Sequence, residues 1–269
     1  MKRSYLFVPG DRPERYAKAL AAGADAVIVD LEDAVAPPAK QAARDALRSW
    51  LMQPQPQQVL VRVNSADSAW FADDVALAGL PGVAGIVLPK AERPEHIARL
   101  MQQGAQAVLP LIESALGFHH ALDLARQPGV ERLLFGSIDF SVDLGLTEGV
   151  EELQYFRSQL VLVSRLAGVL PPVDGVTTTL DDTVRITEDT QRARRNGFGG
   201  KLCIHPRQVA PVNAAFAPSA EEAAWAARVL QAVENTDGAA VALDGKMVDR
   251  PVILQAQAIA DEVRRRAGK

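Results

Sequence analysis

The chain alternates between short, largely apolar runs and longer stretches whose apolar residues recur at helical spacing. The short runs are rich in β-branched residues, the pattern of strands buried on both faces. They cover Tyr5–Val8, Ala26–Asp30, Val59–Val63, Gly85–Leu88, Ala107–Ile112, Arg132–Phe135, Val173–Val176 and Lys201–Ile204. The amphipathic stretches predict helices over Pro13–Ala22, Ala39–Leu51, Asp73–Leu80, Pro94–Gln102, Ala115–Arg126, Glu152–Gly168 and Leu180–Arg195. A strand recurs every ~20–40 residues, as parallel β–α–β crossovers require. Eight such units predict an α/β fold over residues 1–215, a closed TIM (β/α)8 barrel in preference to an open doubly wound sheet.

Beyond Val209 this rhythm stops. Ser219 reads as the N-cap of a new helix running to about Val233, with Glu222 at the capping-box position. Ala239–Leu243 and Lys246–Asp249 flank Asp244-Gly245, a strong two-residue hairpin signal. Pro251 opens a last helix whose basic residues gather in its final turns, where the helix dipole favours them. Residues 216–269 therefore form a C-terminal helix–hairpin–helix extension, surplus to a barrel. It could wrap its own barrel or cover a neighbouring subunit's site.

Composition removes several classes of function. A formal net charge of −4 and a pI near 5.6 give no basis for a nucleic-acid partner. The single cysteine, Cys203, excludes an intramolecular disulfide and fits a reducing compartment. Pro9-Gly10 breaks the apolar start before it reaches the length of a signal-peptide core. No run approaches a membrane span. The expectation is a soluble, cytoplasmic protein without a membrane partner.

Charged residues cluster where the predicted strands end. AVIVDLEDAVAPPAK places Asp30, Glu32 and Asp33 at the end of the second strand. Three acids this close repel one another unless a cation or basic groups balance them. Arg62 and Asn64 end the third strand, Lys90 follows the fourth, Glu113 the fifth, and Ser137 and Asp139 the sixth. In a barrel these positions converge on one mouth, the usual place for catalytic groups. Glu113 and Asp139 offer two oxygen ligands, with Glu32 and Asp33 available to hold metal-bound waters, a set that suits Mg²⁺. Zinc is disfavoured, because no pair of histidines or cysteines has ligand spacing. The competing reading is that each acid caps a helix or pairs with a base. Arg12, Arg15, Lys18, Lys40 and Arg44 follow the first two strands; they could bind phosphates at the rim or be solvated helix charges. His205, between Ile204 and Pro206, lines the mouth or bonds a loop. Gly197–Lys201 lacks P-loop spacing and reads as a tight turn. Gly136–Asp139 is not a G-x-S-x-G elbow.

The motifs LFVPGDRPER, ADAVIVDLEDAVAP, VRVN, IVLPKAE, PLIESALG, FGSIDFSVDLG, GKLCIHPRQV and DGKMVDRPV together resemble, in order, the citrate lyase beta-subunit-like family. That family sits in the HpcH/HpaI aldolase and malyl-CoA lyase superfamily, and the resemblance covers nearly the whole chain. It implies a TIM barrel using Mg²⁺, assembled as a homotrimer or hexamer. It implies cleavage or formation of a carbon–carbon bond in a 3-hydroxyacyl thioester. The products would be a short acyl-CoA and a 2-oxo acid such as oxaloacetate, glyoxylate or pyruvate. By resemblance, Glu113 and Asp139 match the Mg²⁺ ligands, and Glu32 and Asp33 the acids that hold its waters. Arg62 matches the arginine on the oxo-acid oxygen. Phe7, Lys18, Ile204 and His205 fall in the substrate and CoA channel. Asp249, in KMVD, matches a tail aspartate that reaches a neighbouring subunit and handles the proton. Asp30 is left a structural role. Two departures bear on the thioester carrier: Phe7 stands where some members have tyrosine, and Glu14 where one CoA-binding branch has lysine. Two alternatives stay open. One is a class II pyruvate aldolase acting on free hydroxy-oxo acids, although the histidine those relatives carry after the second strand is missing here. The other is a non-autonomous subunit of a citrate lyase-type complex.

Overall fold

The structure, a computed structural model, describes residues 1–147, 151–234 and 241–267. Eight parallel strands close into a barrel in sequence order. They are β1 (Ser4–Pro9), β2 (Ala26–Asp30), β3 (Val59–Arg62), β4 (Val83–Leu88), β5 (Val108–Ile112), β6 (Leu134–Phe135), β7 (Val173–Asp174) and β8 (Gly200–Cys203). Tyr5 of β1 pairs with Ala26 on one side and with Leu202 of β8 on the other, which rules out the open sheet. Inward-facing side chains fill the barrel: Tyr5, Ile28, Leu60, Val87, Leu109 and Leu134 belong to one buried apolar cluster. The interior is thus a packed core, and polar chemistry is left to the strand ends.

The helices are α1 (Tyr16–Leu20), α2 (Lys40–Leu51), α3 (Phe71–Asp74), α4 (Pro94–Gln102), α5 (Ala115–His119), α6 (Ala121–Ala125), α7 (Ser137–Leu144), α8 (Gln154–Ala167), α9 (Thr183–Arg195), α10 (Val209–Ala215), α11 (Ala220–Val233) and α12 (Arg250–Ala267). Some of these depart from the periodicity. The expected helix over Ala115–Arg126 breaks at His120, whose backbone leaves the helical region at φ −92, ψ 6. The His120 Nδ1 meets the Glu92 carbonyl at 2.8 Å, which holds the break. The stretch Asp73–Leu80 is instead α3 followed by a 3₁₀ turn over Val75–Leu77. Helix α10 has no counterpart in the expected set, and neither does helix α7. Its Ile138 and Val142 are exposed, so it lacks the apolar stripe by which a helix is read.

At the N-terminal end of the barrel, Arg132 is fully buried. It donates to the carbonyls of Lys2 (3.0 Å) and Pro171 (2.8 Å) and to the Tyr5 hydroxyl (2.9 Å). This network ties β1 to the turn before β7.

Contacts divide the chain into two compact units, Met1–Asn213 and Ala214–Lys269. In the second, Ser219 and Glu222 form a reciprocal capping box. The strands β9 (Val241–Leu243) and β10 (Lys246–Val248) pair antiparallel. Asp244 (φ 51) and Gly245 (φ 72) supply the positive φ angles of a type I′ turn between them. The hairpin residues Ala239 and Ala240 and the last two residues, Gly268 and Lys269, lie outside the described residues. Helices α11 and α12 pack through Ala226, Val229 and Ala256. Among the described residues no helix is long and apolar enough to cross a membrane.

Candidate active site

A cavity of about 370 Å³ opens at the C-terminal ends of the strands. Phe7, Asp30, Asp33, Arg62, Glu113 and Asp139 line it, drawn from the ends of β1, β2, β3 and β5 and from α7. The barrel register explains part of this. Asp30 and Arg62 are direct partners across β2 and β3, so their side chains leave the sheet together.

Asp30 grips Arg62 with both oxygens: Nε to Oδ1 is 2.7 Å and Nη2 to Oδ2 is 2.6 Å. Two backbone amides, from Glu32 and Ala34, also donate to Asp30. A bidentate pair of this kind fixes the plane of the guanidinium as well as its position. The third nitrogen of Arg62, Nη1, lies 3.1 Å from Glu32 and 3.5 Å from Asp33. The Phe7 ring packs on the guanidinium at 4.8 Å. Burial works against the charge of Arg62, but the hydrogen bonds and negative charge of Asp30, with Glu32 and Asp33, raise its pKa above the usual value.

Glu113 is 4% exposed. Its Oε1 accepts from the Lys90 amide at 2.7 Å, an approach that needs the positive φ of 44 at Lys90. Gly136 makes room on the other side: a Cβ there would stand 2.5 Å from Glu113 Oε2. Burial pushes the Glu113 carboxyl up to about 8; the Glu32 and Asp139 charges push the same way, against the Lys90 amide and Arg62. Asp139 is exposed in the first turn of α7. Glu32 is buried, and burial raises its pKa as well. Its Oε1 meets Lys90 Nζ at 3.2 Å. Its Oε2 is near Arg62 but, among the described residues, has no hydrogen-bond partner. Arg62 and Lys90 are the basic side chains that pair with these acids. Among the described residues no three metal-ligating side chains form a preformed cluster, so an ion here would complete its shell with water or ligand oxygens.

A neighbouring cavity of about 310 Å³ is lined by Phe7, Lys18, Ile204, His205 and Pro206. It shares Phe7, Pro9 and Ile204 with the first. Lys18 is exposed there. His205 accepts from the Arg207 amide through Nδ1 at 3.2 Å and caps a 3₁₀ turn.

Two residues expected at a phosphate-binding rim are not there. Lys40 is buried, and its Nζ donates to the carbonyls of Leu31 (2.8 Å) and Glu32 (2.6 Å). Arg44 is buried against Asp74 at 2.7 Å. Both are buried ties of the acid-bearing loop and its neighbour. The expectation for them is corrected. Asp249 lies in the second unit, where its carboxylate caps α12 by accepting from the Val252 amide at 3.4 Å. Sequence reasoning missed the Asp30 clamp; its signal was the shared level of Asp30 and Arg62 at adjacent strand ends.

Residues 3–206 match the family model described as HpcH/HpaI aldolase/citrate lyase. The chain belongs to this family. A citrate lyase subunit beta-like protein from Deinococcus radiodurans is 36% identical over 96% of the chain and 95% of its own length. A (3S)-malyl-CoA thioesterase from Cereibacter sphaeroides is 33% identical over 96% of the chain and 95% of its own length. Among solved structures, Mycobacterium tuberculosis CitE in complex with magnesium, acetoacetate and coenzyme A superposes with a TM-score of 0.86 at 36% identity. The match covers 100% of this chain and 98% of that one. Membership in the HpcH/HpaI family agrees with the barrel.

Proposed function

We propose that this protein is a Mg²⁺-dependent carbon–carbon lyase. It cleaves or forms a 3-hydroxyacyl thioester, with a short acyl-CoA and a 2-oxo acid on the other side of the reaction. The observation that carries this reading is a buried Glu113 that lines one cavity with Asp139, beside a rigidly clamped arginine. The magnesium, acetoacetate and coenzyme A of the CitE complex support it.

The donor set fits the ion. Glu113 and Asp139 would hold it, and Glu32 and Asp33, which flank Arg62, would hold its waters. When bound, Mg²⁺ supplies a fixed positive charge and Lewis-acid polarisation of an oxo-acid carbonyl. Arg62 then does what its clamp prepares. As the carbon–carbon bond breaks, the 3-hydroxyl gives up its proton to solvent and its oxygen becomes the oxo oxygen of the 2-oxo acid, where the preorganised guanidinium stabilises charge. Stabilisation of this kind is worth about 3 kcal/mol. The bonding electrons pass to the thioester α-carbon, which takes up a proton. We assign that proton to Asp249 of a neighbouring copy. In the reverse direction Asp249 is the base. The cavity lined by Phe7, Lys18, Ile204 and His205 takes the thioester arm.

The test is a screen of the purified protein with Mg²⁺ against citryl-, malyl-, citramalyl- and methylmalyl-CoA, following oxo acid and free CoA separately. Release of oxo acid from at least one of them, abolished by chelation, is expected. No oxo acid from any would overturn the reading. Free CoA rising in step with oxo acid would add a hydrolytic step, as the name of the Cereibacter relative describes.

A further inference from the structure

A second cavity, about 390 Å³, shares Ser137, Ile138 and Val176 with the catalytic one. Its other walls carry side chains that no step above uses. Arg157, 6% exposed, reaches in from α8. Its Nε bonds Asp174 Oδ1 at 3.0 Å, and its guanidinium carbon lies 5.6 Å from the centre of the Phe135 ring. Its Nη1 is buried and has no partner among the described residues. Arg192 is in the same condition at Nε, although its Nη2 bonds Asp189 at 2.7 Å. Lys201 is buried, and its Nζ is used by the Gly175 carbonyl at 2.7 Å.

Acceptors are scarcer. Asp189 is saturated by Thr177, Arg192 and Arg185. Outside the cavity lining, Asp174 Oδ2 is buried without a hydrogen-bond partner among the described residues. At the rim the exposed Arg185 pairs with Asp189. Inside, Arg157, Arg192 and Lys201 line the cavity with Asp189, while Asp174 lies outside the lining as the ion-pair partner of Arg157. A lining richer in basic than in acidic side chains suits a small anion. A planar carboxylate also suits the fork of an arginine.

We propose that this cavity is a carboxylate-binding subsite in which Arg157 is the principal donor, with Arg192 and the hydroxyls of Thr178 and Thr179 at its edge. The carboxylate is either a free small acid or the second carboxylate of a dicarboxylic oxo acid reaching past Ser137. The latter source rests on the proposed function; the former does not.

The experiment uses the full-length protein with Mg²⁺ and calorimetric titration of acetate, pyruvate and oxaloacetate. The decisive variant is Arg157→Met with Asp174→Asn, which removes both members of the pair and leaves no lone buried charge. Losing a charge-assisted hydrogen bond should weaken carboxylate binding by about tenfold or more. Acetate that still binds when pyruvate saturates the catalytic cavity, and weakens in the variant, identifies a free acid. Oxaloacetate binding about tenfold tighter than pyruvate, an advantage lost in the variant, identifies the substrate's own carboxylate. If neither acetate affinity nor the oxaloacetate-to-pyruvate ratio moves in a variant that melts like the wild type, the subsite is disproved. It is equally disproved if the wild type shows no acetate binding and no preference for oxaloacetate. Should the double variant fail to fold, Arg192→Gln takes its place with the same readouts. Loss of Mg²⁺-dependent pyruvate binding overturns the catalytic reading alone, because the acetate titration still decides this one.

Discussion

Glu113 is the residue on which the site turns, and its environment sets the sign of the pH response. Its carboxyl is raised from 4.5 to about 8, so the folded, metal-free protein holds that proton more tightly than the unfolded chain. The stability this contributes is complete below about 4.5 and is lost as pH rises through about 8. A metal must displace the same proton. Mg²⁺ affinity should therefore rise with pH up to about 8, by about tenfold per unit at most, and flatten above. Calorimetry across that range checks this, and Glu113→Gln should abolish both the slope and most of the binding. Glu32→Gln should weaken Mg²⁺ less, because Glu32 already leans on Lys90 and Arg62. The opposite order would return the ion to the acids at the end of β2. Cys203 gives a plainer expectation. Burial pushes its thiol up to about 12, so a disulfide reagent should label it in denaturant and leave the native protein untouched. The strand-end positions of these residues were legible in the sequence, but the burial that separates Glu113 from Asp139 was not. Both follow an apolar run; only the folded backbone puts one under the Lys90 amide and the other in an exposed helical turn.

Among the elements, the contact between the ends of β2 and β3 carries most of the site's rigidity. Asp30 is buried with its whole carboxylate committed to Arg62 and two amides. Asp30→Ala leaves a buried guanidinium with Glu32 at 3.1 Å and the exposed Asp33 at 3.5 Å, and should cost about 3 kcal/mol of stability in urea denaturation. Asp33→Ala, whose side chain is 62% exposed, should cost under about 0.5 kcal/mol. Equal losses would mean that the clamp does not stabilise the barrel mouth. The contrast also shows where pattern reading stops. Three acids in four residues look alike in AVIVDLEDAV, yet strand pairing makes one of them a buried clamp. Lys40 and Arg44 teach the same lesson in reverse. Basic residues at a helix start are solvated by default, and only the carbonyls of Leu31 and Glu32 and the carboxylate of Asp74 draw these two inside. Helix α7 was invisible for a related reason: with Ile138 and Val142 in solvent, its sequence carries no apolar face.

For the whole molecule, eight apolar runs separated by amphipathic stretches were enough to read a closed barrel, and the capping box and Asp-Gly turn were enough to read the extension. Where Asp249 acts is a different kind of question, because local signals fix an element and not the copy it serves. If the tail of one subunit completes the barrel of another, two inactive variants can repair each other. Glu113→Gln suits the barrel defect because it is nearly isosteric, whereas removing Arg62 would strand Asp30. Asp249→Ala supplies the tail defect. In a cyclic oligomer mixed at equal ratio, a site is intact when its barrel comes from the Asp249→Ala chain and its tail from the Glu113→Gln chain, which occurs for about one quarter of sites. Activity should then return to about a quarter of the wild-type level, although each parent is inactive. If each tail serves its own barrel, every site in the mixture carries one defect and activity stays at zero. That result, in oligomers shown by mass to be mixed, would confine the proton-handling role of Asp249 to its own chain.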